Sequence, residues 1–171
     1  MTVPVVLGLM LGTAFAVFWQ LGKRPHAHKN LQREDIQRLL GTLLRRGFNQ
    51  AFLVLEIKLP SQKGQKRFIQ FTKYIRRGQA GLQFDFPLVE WSTPYYAKLQ
   101  SVLRQDGVPF YTTSTGRSDA REFLTIDFGS SIDQALHIAI VAIEVLVPTQ
   151  SNRRITGFLH NVSARDAEVN A

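Results

Sequence analysis

The chain contains no cysteine. That absence excludes a disulfide framework, a thiolate metal site and a cysteine nucleophile together. Phosphate-cradling glycine loops are missing as well: neither G-x-x-x-x-G-K-S/T nor G-x-G-x-x-G occurs, so no nucleotide-binding turn is legible. There is no H-E-x-x-H zinc helix and no G-x-S-x-G nucleophile elbow. No segment is low in complexity, and no stretch repeats another. Lysine and arginine are absent before Lys23.

What is present is ample apolar material. Hydrophobic residues make up 44% of 171, with 12 Phe among them, enough for one packed domain. The net charge is +8, and it is unevenly placed. Residues 22–92 hold 14 Lys and Arg against 5 Asp and Glu, whereas residues 93–171 hold 7 against 8. A basic excess of this kind suits an anionic surface.

Val3–Leu21 is a run of 19 residues without a charged side chain. As a helix it would match the roughly 30 Å of a hydrocarbon core. Trp19 closes it and Lys23, Arg24 and Lys29 follow. The positive-inside rule then predicts a single-pass anchor with the domain on the cytoplasmic side. Residues 1–22 are thus expected as a transmembrane anchor, 23–30 as a basic linker, 31–148 as the folded domain and 149–171 as a tail.

Within the domain, Ile36, Leu39, Leu40, Leu43 and Leu44 keep helical spacing, predicting a helix over 31–46. Alternation predicts strands over 51–59 and 67–75 and a third at Leu82, Phe84 and Phe86. Thr93-Pro94 opens a second helix that Gly107 ends. Strands follow over 108–113 and 122–128, then a helix over 131–147. The expected class is α+β, with an antiparallel sheet in the order α-β-β-β-α-β-β-α, preceded by one transmembrane helix. The strand carboxylates Glu56, Asp85 and Asp127 alternate outward, toward solvent.

That element order resembles the type III secretion chaperone-like superfamily, which includes YbjN-type and TY-chaperone domains. The likeness covers 31–147. Arg67-Phe68-Ile69-Gln70-Phe71 is similar to a TY-chaperone second strand, and Glu122-Phe123-Leu124-Thr125-Ile126-Asp127 to its last. The resemblance implies a small binding domain, often a homodimer, that holds another protein chain. It carries no catalytic signature.

No residue is assigned a catalytic, cofactor or metal role. His26 and His28 form a His-x-His pair without a third ligand nearby. His137 follows Asp133 by four residues, the spacing of a local helical pair. Arg45 and Arg46 end the first helix, and Arg76 and Arg77 fall in the turn after the second strand. A meander brings both pairs to one end of the sheet, a candidate docking cluster. Lys63, Lys66 and Arg67 fall at the other end with Lys23, Arg24 and Lys29, and are expected to face the bilayer. Trp91, Tyr95 and Tyr96 mark an aromatic edge for a partner.

The last helix is apolar on nearly every side. Ile140 and Val141 on its extra face are expected to meet the tail or a second copy, giving a homodimer. The tail carries Ile155, Phe158, Leu159 and Val162 at helical spacing. The expected function is a membrane-anchored, chaperone-like or adaptor module that binds a protein or peptide. The alternatives are an enzyme acting on an anionic substrate at the membrane surface and a structural subunit of an envelope complex. A nucleic-acid partner is not expected, since no recognised module for one is present.

Overall fold

Alternation of apolar and polar residues along seven segments builds one antiparallel sheet. A computed structural model describes residues 27–58, 66–114, 122–147 and 153–163. The strands are β1 (Ala27–Lys29), β2 (Gly47–Lys58), β3 (Lys66–Arg76), β4 (Gln79–Leu88), β5 (Tyr111–Ser114), β6 (Glu122–Gly129) and β7 (Arg154–Val162). Three helices interleave them: α1 (Arg33–Arg46), α2 (Thr93–Gln105) and α3 (Ile132–Leu146). The strand order across the sheet is β1-β7-β2-β3-β4-β6-β5, and every neighbouring pair is antiparallel.

One face of the sheet carries the core. Leu159, Leu53, Phe71, Phe84 and Ile126 form a single cross-strand row over five strands. Leu53, Phe71 and Phe84 in it are fully buried. The helices lie on this face and bury Ile36, Leu39, Leu40 and Leu43 from α1 and Leu99 and Leu103 from α2. Gly157 of β7 admits α1 closely: a Cβ there would stand 2.7 Å from Leu39 Cδ1 and 2.9 Å from Leu31 Cδ1.

Local chemistry fixes the ends of the elements. The Gln32 N–H donates to Asp35 Oδ2 at 3.0 Å, satisfying an orphan donor at the start of α1. Acidic Glu34 and Asp35 open α1 and Arg45 and Arg46 close it, matching the helix dipole. The cap is thus Gln32, and Asn30, two residues before it, has a positive φ of 56°. At the hairpin between β3 and β4, Arg77 and Gly78 both have positive φ, 51° and 78°. That is the two-residue turn whose twist suits an antiparallel hairpin.

The expected fold is corrected in two respects. First, the domain is mostly sheet, and strands open and close it: the described order is β-α-β-β-β-α-β-β-α-β. The tail residues Ile155, Leu159 and Val162 belong to a strand. Helical spacing in a short apolar stretch is ambiguous, and here Ile155, Gly157 and Leu159 at period two face the core. Second, the single-pass anchor with a cytoplasmic domain is not supported. No described helix is long and apolar enough to cross a membrane. The most apolar, α3, has 15 residues and spends its surface inside the domain. The run 3–21, with Trp19, and also Lys23 and Arg24, lie outside the described residues, as does Lys63.

The apolar character of α3 has an internal cause. The helix lies between the sheet strands β3, β4 and β6 and the flanking helices α1 and α2. Ala135, Leu136, Ile138, Ala139, Ala142, Ile143, Val145 and Leu146 are buried. Ile140 and Val141, expected on an unpartnered face, are half-buried and packed against the core. The polar edges of the three helices are laced together. Gln37 Nε2 donates to Asp133 Oδ1 at 3.1 Å, and His137 Nε2 stands 4.0 Å from Asp106 Oδ2. His137 therefore approaches α2, and the local pair with Asp133 is not made.

Candidate functional site: the helix-free face of the sheet

Strand residues that alternate away from the core lie on a face that none of the described helices covers. The register orders this face into rows. Ala27, Phe158, Val54, Gln70, Asp85, Thr125 and Tyr111 form one row across all seven strands. His160, Phe52, Thr72, Gln83 and Asp127 form the row beside it. The β7–β2 half of both rows is apolar and aromatic, and the β3–β6 half is polar. Phe52 stacks on His160 with ring centroids 4.4 Å apart. Burial holds the His160 imidazole below its ordinary range, toward the neutral form.

Asp85 is the centre of the polar half. It is 7% exposed, although alternation predicts a solvent-facing carboxylate. Gln83 Nε2 donates to both of its oxygens, at 2.8 and 3.1 Å, and Thr125 Oγ1 donates to Oδ1 at 3.0 Å. Thr72 adds a further hydrogen bond and takes one from Gln70 Nε2 at 3.2 Å. Thr113 lies 3.0 Å from Thr125 Oγ1, and because Thr125 gives its proton to Asp85, Thr113 is the donor. Desolvation raises the Asp85 pKa above its ordinary value, and the donors from Gln83, Thr125 and Thr72 partly oppose it.

A second cluster stands at the upper end of the same face. Tyr74 of β3 reaches over β4 and donates its hydroxyl to Asp127 Oδ1 at 2.5 Å. It does so across Gly81, where a Cβ would collide with the ring at 2.2 Å from Cζ. Only glycine lets the ring lie on the strand. Arg76 stacks over the ring at 4.4 Å from its centroid and stands 3.6 Å from Asp127 Oδ2. Burial, then the Asp127 bond and charge, push the Tyr74 pKa up to about 12.

The four candidate arginines share an end of the sheet but not a face. Arg45 and Arg46 close α1 on the helix side, while Arg76 is engaged with Tyr74 and Asp127 on the other. Arg77 is exposed in the hairpin turn. The aromatic edge proves to be largely internal. Tyr96 is buried and donates to Glu122 Oε1 at 2.9 Å; burial, then this bond, pushes its pKa up to about 12. Trp91 packs on Phe68 and Phe86, with centroids at 5.2 and 5.8 Å.

Arg67 corrects the expectation of a bilayer-facing cation. It is buried on the core side, its guanidinium over the Tyr95 ring at 4.7 Å and donating to the Leu146 carbonyl. A helix C-terminus leaves such carbonyls without partners, and a cation there also suits the dipole. Lys29 lies exposed in β1 opposite Thr156, and Lys66 takes the position in β3 opposite Lys58.

Sequence reasoning set Asp85 toward solvent, where the structure buries it, and missed Tyr74, Gly81 and the Phe52–His160 stack. Only the run of polar residues at alternate positions, Gln70, Thr72 and Tyr74 beside Gln83 and Asp85, pointed to a network. The chain matches no family model, no curated protein and no solved structure.

Proposed function

We propose that this domain is a protein-binding module without catalytic activity, and that it holds a partner polypeptide on the helix-free face of its sheet. The observation that carries the reading is the seven-strand row. It runs from apolar Ala27, Phe158 and Val54 to a hydrogen-bonded polar half, on a face that no described helix occupies. Apolar groups beside satisfied polar groups suit a polypeptide surface. Asp85 and Asp127 serve as struts: their oxygens are taken by Gln83, Thr125, Tyr74 and the Gly129 N–H. A chaperone-like role, holding another chain as the family resemblance implies, is part of the same proposal.

Photo-crosslinking in the source cells tests it. A benzoyl-phenylalanine placed at Phe158 or Tyr111 is expected to capture a discrete protein, and one at Lys98 on exposed α2 is not. Capture at Lys98 alone, or of nothing but nucleic acid at Phe158, would refute the reading.

A further inference from the structure

We infer that the polypeptide held on this face is acidic, an extended segment whose Asp or Glu residues lie beside apolar ones. The inference rests on the face being a protein-docking surface. Beyond the apolar row, the register sets Lys29, Thr156, Glu56 and Phe68 in the next row, and Arg154, Lys58 and Lys66 in the row after. Glu56 is the sole acid of these two rows, and Lys58 Nζ pairs with it at 2.9 Å. Lys29 and Arg154 are exposed.

This end of the face is therefore cationic and directly adjoins the apolar groups Phe158 and Val54. Two of the candidate arginines are engaged elsewhere: Arg45 lies on the helix side and Arg76 is held by Asp127. Spacing sharpens the inference. Lys58 and Val54 are four residues apart on β2, which is about 13 Å along a strand. A peptide lying along β2 would thus carry acids two to four positions from an apolar or aromatic residue. The charge would guide and select the partner, and the apolar row would supply most of the contact.

Fluorescence anisotropy with the full-length chain tests this. The probes are three labelled peptides of one apolar pattern, carrying Asp and Glu, Asn and Gln, or Lys at the polar positions, and a thymidine oligonucleotide of matched charge. At about 0.15 M salt the acidic peptide is expected to bind about tenfold more tightly than the neutral one, and the preference should shrink as salt screens it. Lys29→Glu with Arg154→Glu should erase the preference, and Arg45→Glu with Arg77→Glu should leave it.

Equal binding of acidic and neutral peptides, weakened alike by Phe158→Lys, would overturn the acidic partner while leaving the docking face in place. No binding of any peptide would also overturn it. Tighter binding of the oligonucleotide, or self-association in light scattering that Phe158→Lys abolishes, would overturn both readings, assigning the face to nucleic acid or to a second copy.

Discussion

The two faces of the sheet are built from alternate residues of the same strands, yet they solve different problems. On β3, Ile69 and Phe71 enter a core closed by three helices, while Gln70, Thr72 and Tyr74, at positions of the opposite parity, enter a hydrogen-bonded network. The covered face is specified by volume. Gly157 exists there because Leu39 and Leu31 need its space. The helix-free face is specified by geometry: Gly81 lets one ring reach Asp127, and three side chains, Gln83, Thr125 and Thr72, converge on the Asp85 carboxyl. Substitutions should therefore act through cavities and overpacking on one face, and through lost bonds and altered titration on the other.

The largest effect belongs to the covered face. Phe71→Ala removes a fully buried ring and should cost about 4 kcal/mol of stability in urea unfolding. Phe158→Ala, at a half-buried position on the other face, should cost clearly less. Equal losses would erase the distinction between the faces.

Titration is the next probe. The folded-state pKa of Asp85 is raised above its ordinary 3.8. The fold thus favours the protonated acid, so its contribution is present below the unfolded pKa and is lost as pH rises through the folded one. Stability measured from pH 4 to 7 should therefore fall relative to Asp85→Asn as pH rises. A constant gap, or one moving the other way, would mean that the donors outweigh the burial.

Smaller effects sharpen the picture of the upper end. Tyr74→Phe loses the bond to Asp127 and should cost about 1 kcal/mol, while keeping the ring over Gly81. Arg77→Gly places a permissive residue at a positive φ and should gain roughly 0.5 kcal/mol. A loss at Arg77→Gly would show that its side chain contributes to the fold.

Much of the covered face was legible because burial leaves period-two and helical patterns. Leu53, Leu55 and Ile57, and the stripe from Ile36 to Leu43, are such patterns. The β7 stretch is ambiguous because Ile155, Phe158, Leu159 and Val162 keep helical spacing while Ile155 and Leu159 also fit period two, and the pairing with β2 decides for the strand. The helix-free face was hardly legible. Alternation places Asp85 away from the core but cannot say that Gln83, Thr125 and Thr72, from three strands, close around it. Arg67 was misread for a related reason: its acceptor, the Leu146 carbonyl, lies 79 residues away. Charge alone reads such a group as surface.

The measurement closest to the central claim is hydroxyl-radical footprinting of the full-length chain, purified and in extract of its source cells. The account predicts that Phe52, Phe158 and Tyr111 gain protection in the extract, while exposed helix residues such as Lys98 and His137 do not. Protection confined to the helices, or none at all, would contradict a docking role for the helix-free face.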